Sequence, residues 1–438
     1  MKKNKNAFTL IELLAVIAIL AIILVISIPK ILDVIETSKK DSFKNAAQLI
    51  ADSAEKKYTE NEAFGEANEI TCDSVSKLNK EDYNKCTIIF DENGIAKVSI
   101  LGRGKFKGLK VIEATKTSAE VIKLEAPKYG ITAVEYINGL YEYYGDSYNL
   151  KIDNTKDQNV RYYGANPNNY VSFNNELWRI IGVFKDNVKL VRKDSLGNLS
   201  WDSSDESING GTGINQWGES TYEDGSSYEG ADLQVYLNKM YYGGDTTITC
   251  FNSLNNTETI CPKDSNDKFL TIDETSKSLI DKHIWNTGAI EYNTRTDTLA
   301  FYNAERGTKT GKTCTGSTYC NDLIIRTTKW TGCIGLPYIT DWAYASENSV
   351  CETNMATGEC NKNNWLHKGS GWGNFIWYLS PKVGSKPVWQ IYGDGFTNVN
   401  SLAYMNYFFF PAIYLKSNVL IESGTGTSSN PYILKLGN

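Results

Sequence analysis

Hydrophobic and polar positions along this chain change rhythm twice. From Phe8 to Ile28 apolar residues run without a period, and only Thr9, Glu12 and Ser27 interrupt them. A helix over that stretch is roughly 31 Å long, about the thickness of a bilayer core. Past Pro29 the spacing becomes three- and four-residue steps at Ile31, Ile35, Phe43, Ala47, Ile50, Ala54 and Tyr58. Lys39, Lys40, Asp41, Lys44, Asp52, Lys56 and Lys57 fill the other positions, so the helix is expected to continue, now amphipathic, to about Tyr58. Asn61 and Gly65 are the expected stop. The remaining chain has short runs typical of strands.

Those runs divide into two groups. Thr87–Phe90 and Ala96–Ile100 predict a hairpin closed by Asp91-Glu92-Asn93-Gly94, within a small β head over 61–125. Residues 126–164 read as a connecting region with one short helix near Thr132–Tyr143. All ten tryptophans lie between Trp178 and Trp389, a composition shift that marks a larger domain over 165–438. Tyr170–Phe173, Leu177–Val183 and Val188–Val191 predict strands there, and Pro411–Leu415 and Asn430–Leu434 predict closing strands. Two helices are expected between them. Leu233, Tyr236, Leu237, Met240 and Tyr241 mark one apolar stripe. Thr271 and Glu274 form a capping box for the other, which carries Leu279, Ile280, His283 and Ile284. The fold class is α+β: a long N-terminal helix, a small head, then a loop-rich, mostly β domain.

Charge orients the chain. Lys2, Lys3 and Lys5 precede the apolar run, which places the N-terminus on the cytoplasmic side and the rest outside. The run exceeds the apolar core of a secretory signal peptide, and no A-x-A cleavage site follows it. A carboxylate such as Glu12 near one end of a membrane segment is costly and marks function.

Ala7-Phe8-Thr9-Leu10-Ile11-Glu12 resembles the class III signal of type IV prepilins and type II secretion pseudopilins, a likeness covering residues 1 to about 60. The resemblance implies a leader of residues 1–7, a prepilin peptidase cutting between Ala7 and Phe8, and methylation of the Phe8 amine. The residue before the cut is usually Gly, and Ala7 departs from that. Residues 8–60 would be the transmembrane and stalk helix and 61–125 a pilin-like head. Glu12 would pair with the Phe8 amine of a neighbouring subunit, and Pro29 matches the proline that breaks or opens the helix on packing. The implied partners are the prepilin peptidase, other pilin subunits through this helix, an assembly platform protein, and membrane lipid before assembly. The implied location is a single-pass membrane protein with its C-terminus outside, then a surface filament.

Nine cysteines all follow residue 71, on the expected outer side, where disulfides persist. Their spacing points to Cys72–Cys86, Cys250–Cys261, Cys314–Cys320 and Cys351–Cys360. Cys333 is then left over or paired in a different scheme. No C-x-x-C pair supports zinc, and no metal or cofactor is expected. Acidic clusters at Asp202–Asp205, Asp264–Asp267 and Asp394 match no EF-hand.

Catalytic patterns are thin. His283 falls on its predicted helix's apolar stripe, and His367 lies beside the Gly369–Gly373 stretch without a visible partner. Leu336-Pro337-Tyr338-Ile339-Thr340 resembles a sortase signal but has Ile where Gly is required. The chain is therefore expected not to be an enzyme.

Formal charge is −6; removing the leader leaves 42 basic against 51 acidic side chains, or −9. That balance disfavours general nucleic-acid binding. The aromatic-rich, loop-heavy 165–438 domain resembles C-type-lectin-like modules in texture. The expected role is a pilin or pseudopilin subunit that displays a large extracellular domain for adhesion to a surface glycan or protein. The alternatives are a secretion or competence pseudopilin and a membrane-tethered carbohydrate-binding or enzymatic protein.

Overall fold

The computed structural model describes residues 10–437 apart from 66–69, 76–79, 204–212, 223, 252–257, 292–293, 295, 308–323, 326, 368–374, 385–386 and 392–396. Two compact units form: residues 1–126 with 142–144, and residues 127–141 with 145–438.

In the first unit, helix α1 spans Leu10–Phe64. Its polar–apolar half behaves as the three- and four-residue spacing requires. Phe43, Ala47, Ile50, Ala51 and Ala54 are buried against Val98, Ile100, Phe106, Leu109 and Val111. Ile31 and Ile35, expected on the same buried stripe, are instead exposed, because the head's apolar core meets the helix only from about Phe43 onward, and before that the contacts are polar, such as Lys123 with Glu36. The helix also runs past Tyr58. Asn61 is buried within it, and Gly65, at φ +69°, supplies the left-handed turn that ends it.

The head is a four-stranded antiparallel meander: β1 (Tyr83–Phe90), β2 (Ala96–Gly102), β3 (Leu109–Ala114) and β4 (Val121–Lys123). Phe90 pairs with Ala96 across the predicted turn. Asp91 Oδ1 accepts from the N–H groups of Asn93 (2.9 Å) and Ile95 (3.0 Å). Gly94 there has φ +74°, and a Cβ on it would sit 3.1 Å from the Tyr58 ring, so the turn needs glycine twice over. A short helix α2 (Cys72–Val75) is tied to β1 by the Cys72–Cys86 disulfide.

Residues 127–141 and 145–164, read from the sequence as a connector, group with the second unit. Helix α3 (Ala133–Tyr144) starts at Thr132, whose hydroxyl accepts from the Glu135 N–H while Glu135 accepts from the Thr132 N–H. The second unit is built on a sheet containing β5 (Leu150–Ile152), β6 (Val160–Tyr162), β7 (Tyr170–Phe173), β8 (Glu176–Phe184) and β9 (Asn187–Arg192). The strand Ala412–Tyr414 extends it beyond β9, and Tyr432–Leu436 joins β7 in parallel. A five-stranded sheet runs Gly197–Ser200, Asn406–Phe409, Ile376–Pro381, Pro387–Ile391, Thr397–Leu402. All nine described tryptophans are buried, with Trp201 packed edge-on to both Trp217 and Trp377. The described tryptophans of this unit are therefore core.

The two predicted helices differ in outcome. Leu233, Tyr236, Leu237, Met240 and Tyr241 are all buried on a helical segment over Asp232–Tyr242, of which Tyr236–Tyr242 is wound as a π-helix. The second helix is shorter than its pattern. It spans Glu274–Leu279 and is capped by Asp273, which accepts from the Ser276 N–H at 2.7 Å, in place of Thr271. Ile280 turns extended to bridge Leu415, so His283 and Ile284 fall on a strand, His283–Asn286, and not on the helix.

Candidate functional site: an exposed apolar helix and a cationic cleft

Two features of the described residues have chemistry beyond packing. The first is the N-terminal half of α1. From Leu10 to Leu32 its described large apolar side chains stand 47–79 % exposed. The helix is long and apolar enough to cross a bilayer by length and composition. In water, so much contiguous apolar surface is unfavourable at about 25 cal/mol per Å², so it requires lipid or other apolar helices around it.

Ala7 and Phe8 lie outside the described residues, as does the side chain of Glu12, whose backbone belongs to α1. Pro29 lies inside α1, and the helix continues on both sides of it. The break expected there is therefore reduced to one missing bond, because Pro has no N–H to offer the carbonyl four residues earlier.

The second feature is an open cleft of about 600 Å³ in the second unit. Four local structures build its wall. The β5–β6 turn supplies Lys156, Asp157 and Asn159; the two-residue β8–β9 turn presents Lys185 beside Asn187. The strand His283–Asn286, with Asp281 and Lys282 before it, pairs with Lys329–Gly332 so that Asn286 and Lys329 lie opposite each other. The helix Thr298–Glu305 contributes Tyr302 and ends at Arg306.

The cleft's acids are occupied. Asp157 accepts from the Tyr302 hydroxyl at 2.8 Å. Asp281 lies 3.0 Å from His283 Nδ1 and 3.4 Å from Asn187 Nδ2. The His283 ring stacks on Tyr414 at 3.8 Å between centroids. Burial pulls the His283 pKa below its ordinary value, and Asp281 opposes that only in part. The Arg306 guanidinium lies 3.4 Å above the Tyr302 ring, while its Nη1 donates to Glu305 at 3.1 Å.

Behind the cleft is a buried ionic network that sequence patterns alone did not reveal. Lys189 Nζ is 2.6 Å from Asp341 Oδ2, and Arg161 donates to Asp341 Oδ1 (2.8 Å) and Asp153 Oδ2 (2.6 Å). None of these side chains is more than 1 % exposed. Burial alone would raise the Asp341 carboxyl, but Lys189 and Arg161 outweigh it and bring the group to about 2. Burial also lowers Lys189 to about 8, against the pull of Asp341. Both groups are charged at neutral pH.

Rings of Tyr338, Trp285 and Tyr414 surround the ammonium at 4.1–5.4 Å. Glu305 sits alongside. It accepts from Thr340 (2.5 Å) and Ser380 (3.0 Å), and is pushed up to about 7 chiefly by burial. The sequence signal was a charged residue inside strands otherwise apolar, Val188-Lys189-Leu190 and Val160-Arg161-Tyr162.

Other candidates are placed as follows. His367 accepts from the Trp342 indole N–H at 3.3 Å, and its neighbours Gly369–Gly373 lie outside the described residues. Leu336–Thr340 is core, with its Thr340 hydroxyl serving Glu305. Cys250–Cys261 and Cys351–Cys360 are bonded, as is Cys72–Cys86. Cys314 and Cys320 lie outside the described residues. Cys333 is unpaired and half-buried, and burial raises its thiol pKa. Among the described residues no group of three or more His, Cys, Asp or Glu is placed to hold a metal ion.

Residues 2–28 match the prokaryotic N-terminal methylation motif. That match implies a protein processed in the manner of a type IV pilin or pseudopilin, and with it a prepilin peptidase and assembly with other pilins. No curated protein and no solved structure matches the chain.

Proposed function

We propose that this chain is a structural subunit of a type IV pilus-like filament. The peptidase cuts between Ala7 and Phe8, the new Phe8 amine is methylated, and α1 passes from lipid into a bundle of like helices. The second unit is displayed outside the cell for adhesion, and the chain is not an enzyme.

One observation carries this reading. The apolar half of α1 falls largely within the methylation motif, and its described side chains are exposed on all faces, which suits burial on all sides in a helical bundle. In such a bundle the Glu12 carboxylate needs a cation, and the Phe8 amine of a neighbour is within the same stretch of helix. Losing one member of a desolvated pair costs about 3–5 kcal/mol. The pair would thus set register between subunits.

Mass analysis of sheared surface filaments tests the assignment: it should find a terminus at N-methylated Phe8. Glu12→Ala should leave the chain inserted and processed yet absent from filaments. Normal incorporation of that variant would overturn the register role, and a mass retaining residues 1–7 would overturn the processing site. The cleft in the second unit gives a specific reason to consider a tethered binding protein as a second reading, distinguished by whether filaments contain the chain at all.

A further inference from the structure

The cleft of the second unit has a charge imbalance that its own side chains do not resolve. Lys156, Lys185, Lys282 and Lys329 line it, all exposed, and none of their ammonium groups has an ion pair or hydrogen bond among the described residues. Arg306 spends Nη1 on Glu305 and the Tyr302 carbonyl, which leaves Nε and Nη2 without a partner among the described residues. Against these five cations stand two carboxylates, and both are already engaged, Asp157 by Tyr302 and Asp281 by His283. This happens in a chain whose formal charge is −6. A concave site lined by one sign of charge focuses its field on an oppositely charged ligand.

We propose that the cleft binds an acidic sugar of a polysaccharide, with its carboxylate at the lysines and Arg306. The remaining lining suits a polyhydroxylated body. The Asn286 side-chain amide has no partner among the described residues, and Asn187 has its Oδ1 to offer, since only its Nδ2 is used. Ile284, 54 % exposed, presents an apolar patch for the C–H face of a sugar ring. The volume, about 600 Å³, lies within the roughly 300–1,000 Å³ of small-molecule sites.

Single-stranded nucleic acid fits less well, because it needs exposed rings on which bases stack. Here Tyr302 and Tyr414 are 1 % and 5 % exposed and Phe184 is buried. The wall is held in advance: Tyr302 is fixed by Asn159, which is bonded in turn to Asp153 of the buried network. Binding therefore requires little reordering. The proposal goes beyond the filament reading and does not depend on it.

The test is calorimetric titration of the full chain in detergent with trigalacturonate, at about 50 mM salt so that screening is weak. The comparison ligands are galactotriose, inorganic phosphate and oligothymidylate. Trigalacturonate should bind, galactotriose and phosphate should bind at least about tenfold more weakly, and the affinity should fall as salt rises. The double charge reversal Lys185→Glu with Lys282→Glu should abolish binding with an unchanged melting temperature, since both side chains are exposed. Asn286→Ala should weaken it several-fold.

Equal binding of galactotriose or phosphate would overturn the acidic-sugar assignment. Tighter binding of oligothymidylate would make the cleft a nucleic-acid site instead. No binding of trigalacturonate at about 1 mM, or full binding by the charge-reversed variant, would remove the proposal altogether.

Discussion

Asp341→Asn is the sharpest probe of how the second unit is held together. The substitution keeps shape and removes one negative charge from a network in which Lys189 and Arg161 both converge on that carboxylate, at 2.6 and 2.8 Å with no more than 1 % exposure. Two buried cations would then share Asp153 alone, and Asp153 bonds only Arg161 of the pair. Breaking a buried ion pair by deleting one partner costs about 3–5 kcal/mol. In domains of a few hundred residues each kcal/mol moves the melting point by about 2–4 °C, so the expected loss is about 6–20 °C.

Tryptophan fluorescence during a thermal scan of the full chain is the assay, because every tryptophan lies between residues 178 and 389 and therefore in the second unit. Lys189→Met should cost less, since Asp341 keeps Arg161 and the Tyr338 N–H (2.9 Å). Adding Lys189→Met to Asp341→Asn should recover part of the loss, a coupling of about 0.5–3 kcal/mol. A drop below about 2 °C for Asp341→Asn would refute the argument that this carboxylate neutralises the core.

Two further expectations follow from the same unit. Glu305 is raised to about 7 from an ordinary 4.5, so the folded state holds its proton where the unfolded chain has lost it. Its contribution is therefore full at acid pH and declines by about 3 kcal/mol as pH climbs from about 4.5 to 7; Glu305→Gln should flatten that slope in denaturant titrations at several pH values. Replacing Cys351 and Cys360 by Ser opens a loop of separation 9 and should cost about 2–3 kcal/mol in the chain-entropy picture, read as a lower urea midpoint for the second unit.

What the chain disclosed in advance was local. The α1 periodicity, the Asp91–Gly94 turn, the Thr132/Glu135 cap and the β7–β9 run each depend on residues a few positions apart, where propensity and spacing act directly. What it withheld was long-range. Lys189 and Asp341 meet across 152 positions, and nothing in either neighbourhood names the other. The cleft is likewise assembled from segments as distant as Lys156 and Tyr414. His283 illustrates the competition between levels. Its spacing matched a helical stripe, but strand pairing with Gly332 and the Tyr414 ring face outweighed a helix only six residues long. Ile31 and Ile35 show the reverse limit: a correct helical face predicts where a partner could sit, while the reach of the head decides whether one does.

The described disulfides have a mechanical consequence. They span 14, 11 and 9 positions, and each closes a loop within one small neighbourhood. None staples the N-terminal helix to the last strand or one sheet to another. A chain pulled between α1 and its far end would keep each of those described loops closed, at about 3.5 Å of hidden length per residue. The described disulfides do not hold strand pairs such as Tyr432 with Val171 together, so those pairs resist such a load through backbone hydrogen bonds and packing. Under tension the described sulfur bonds therefore hold local loops, and strand pairing holds the sheets.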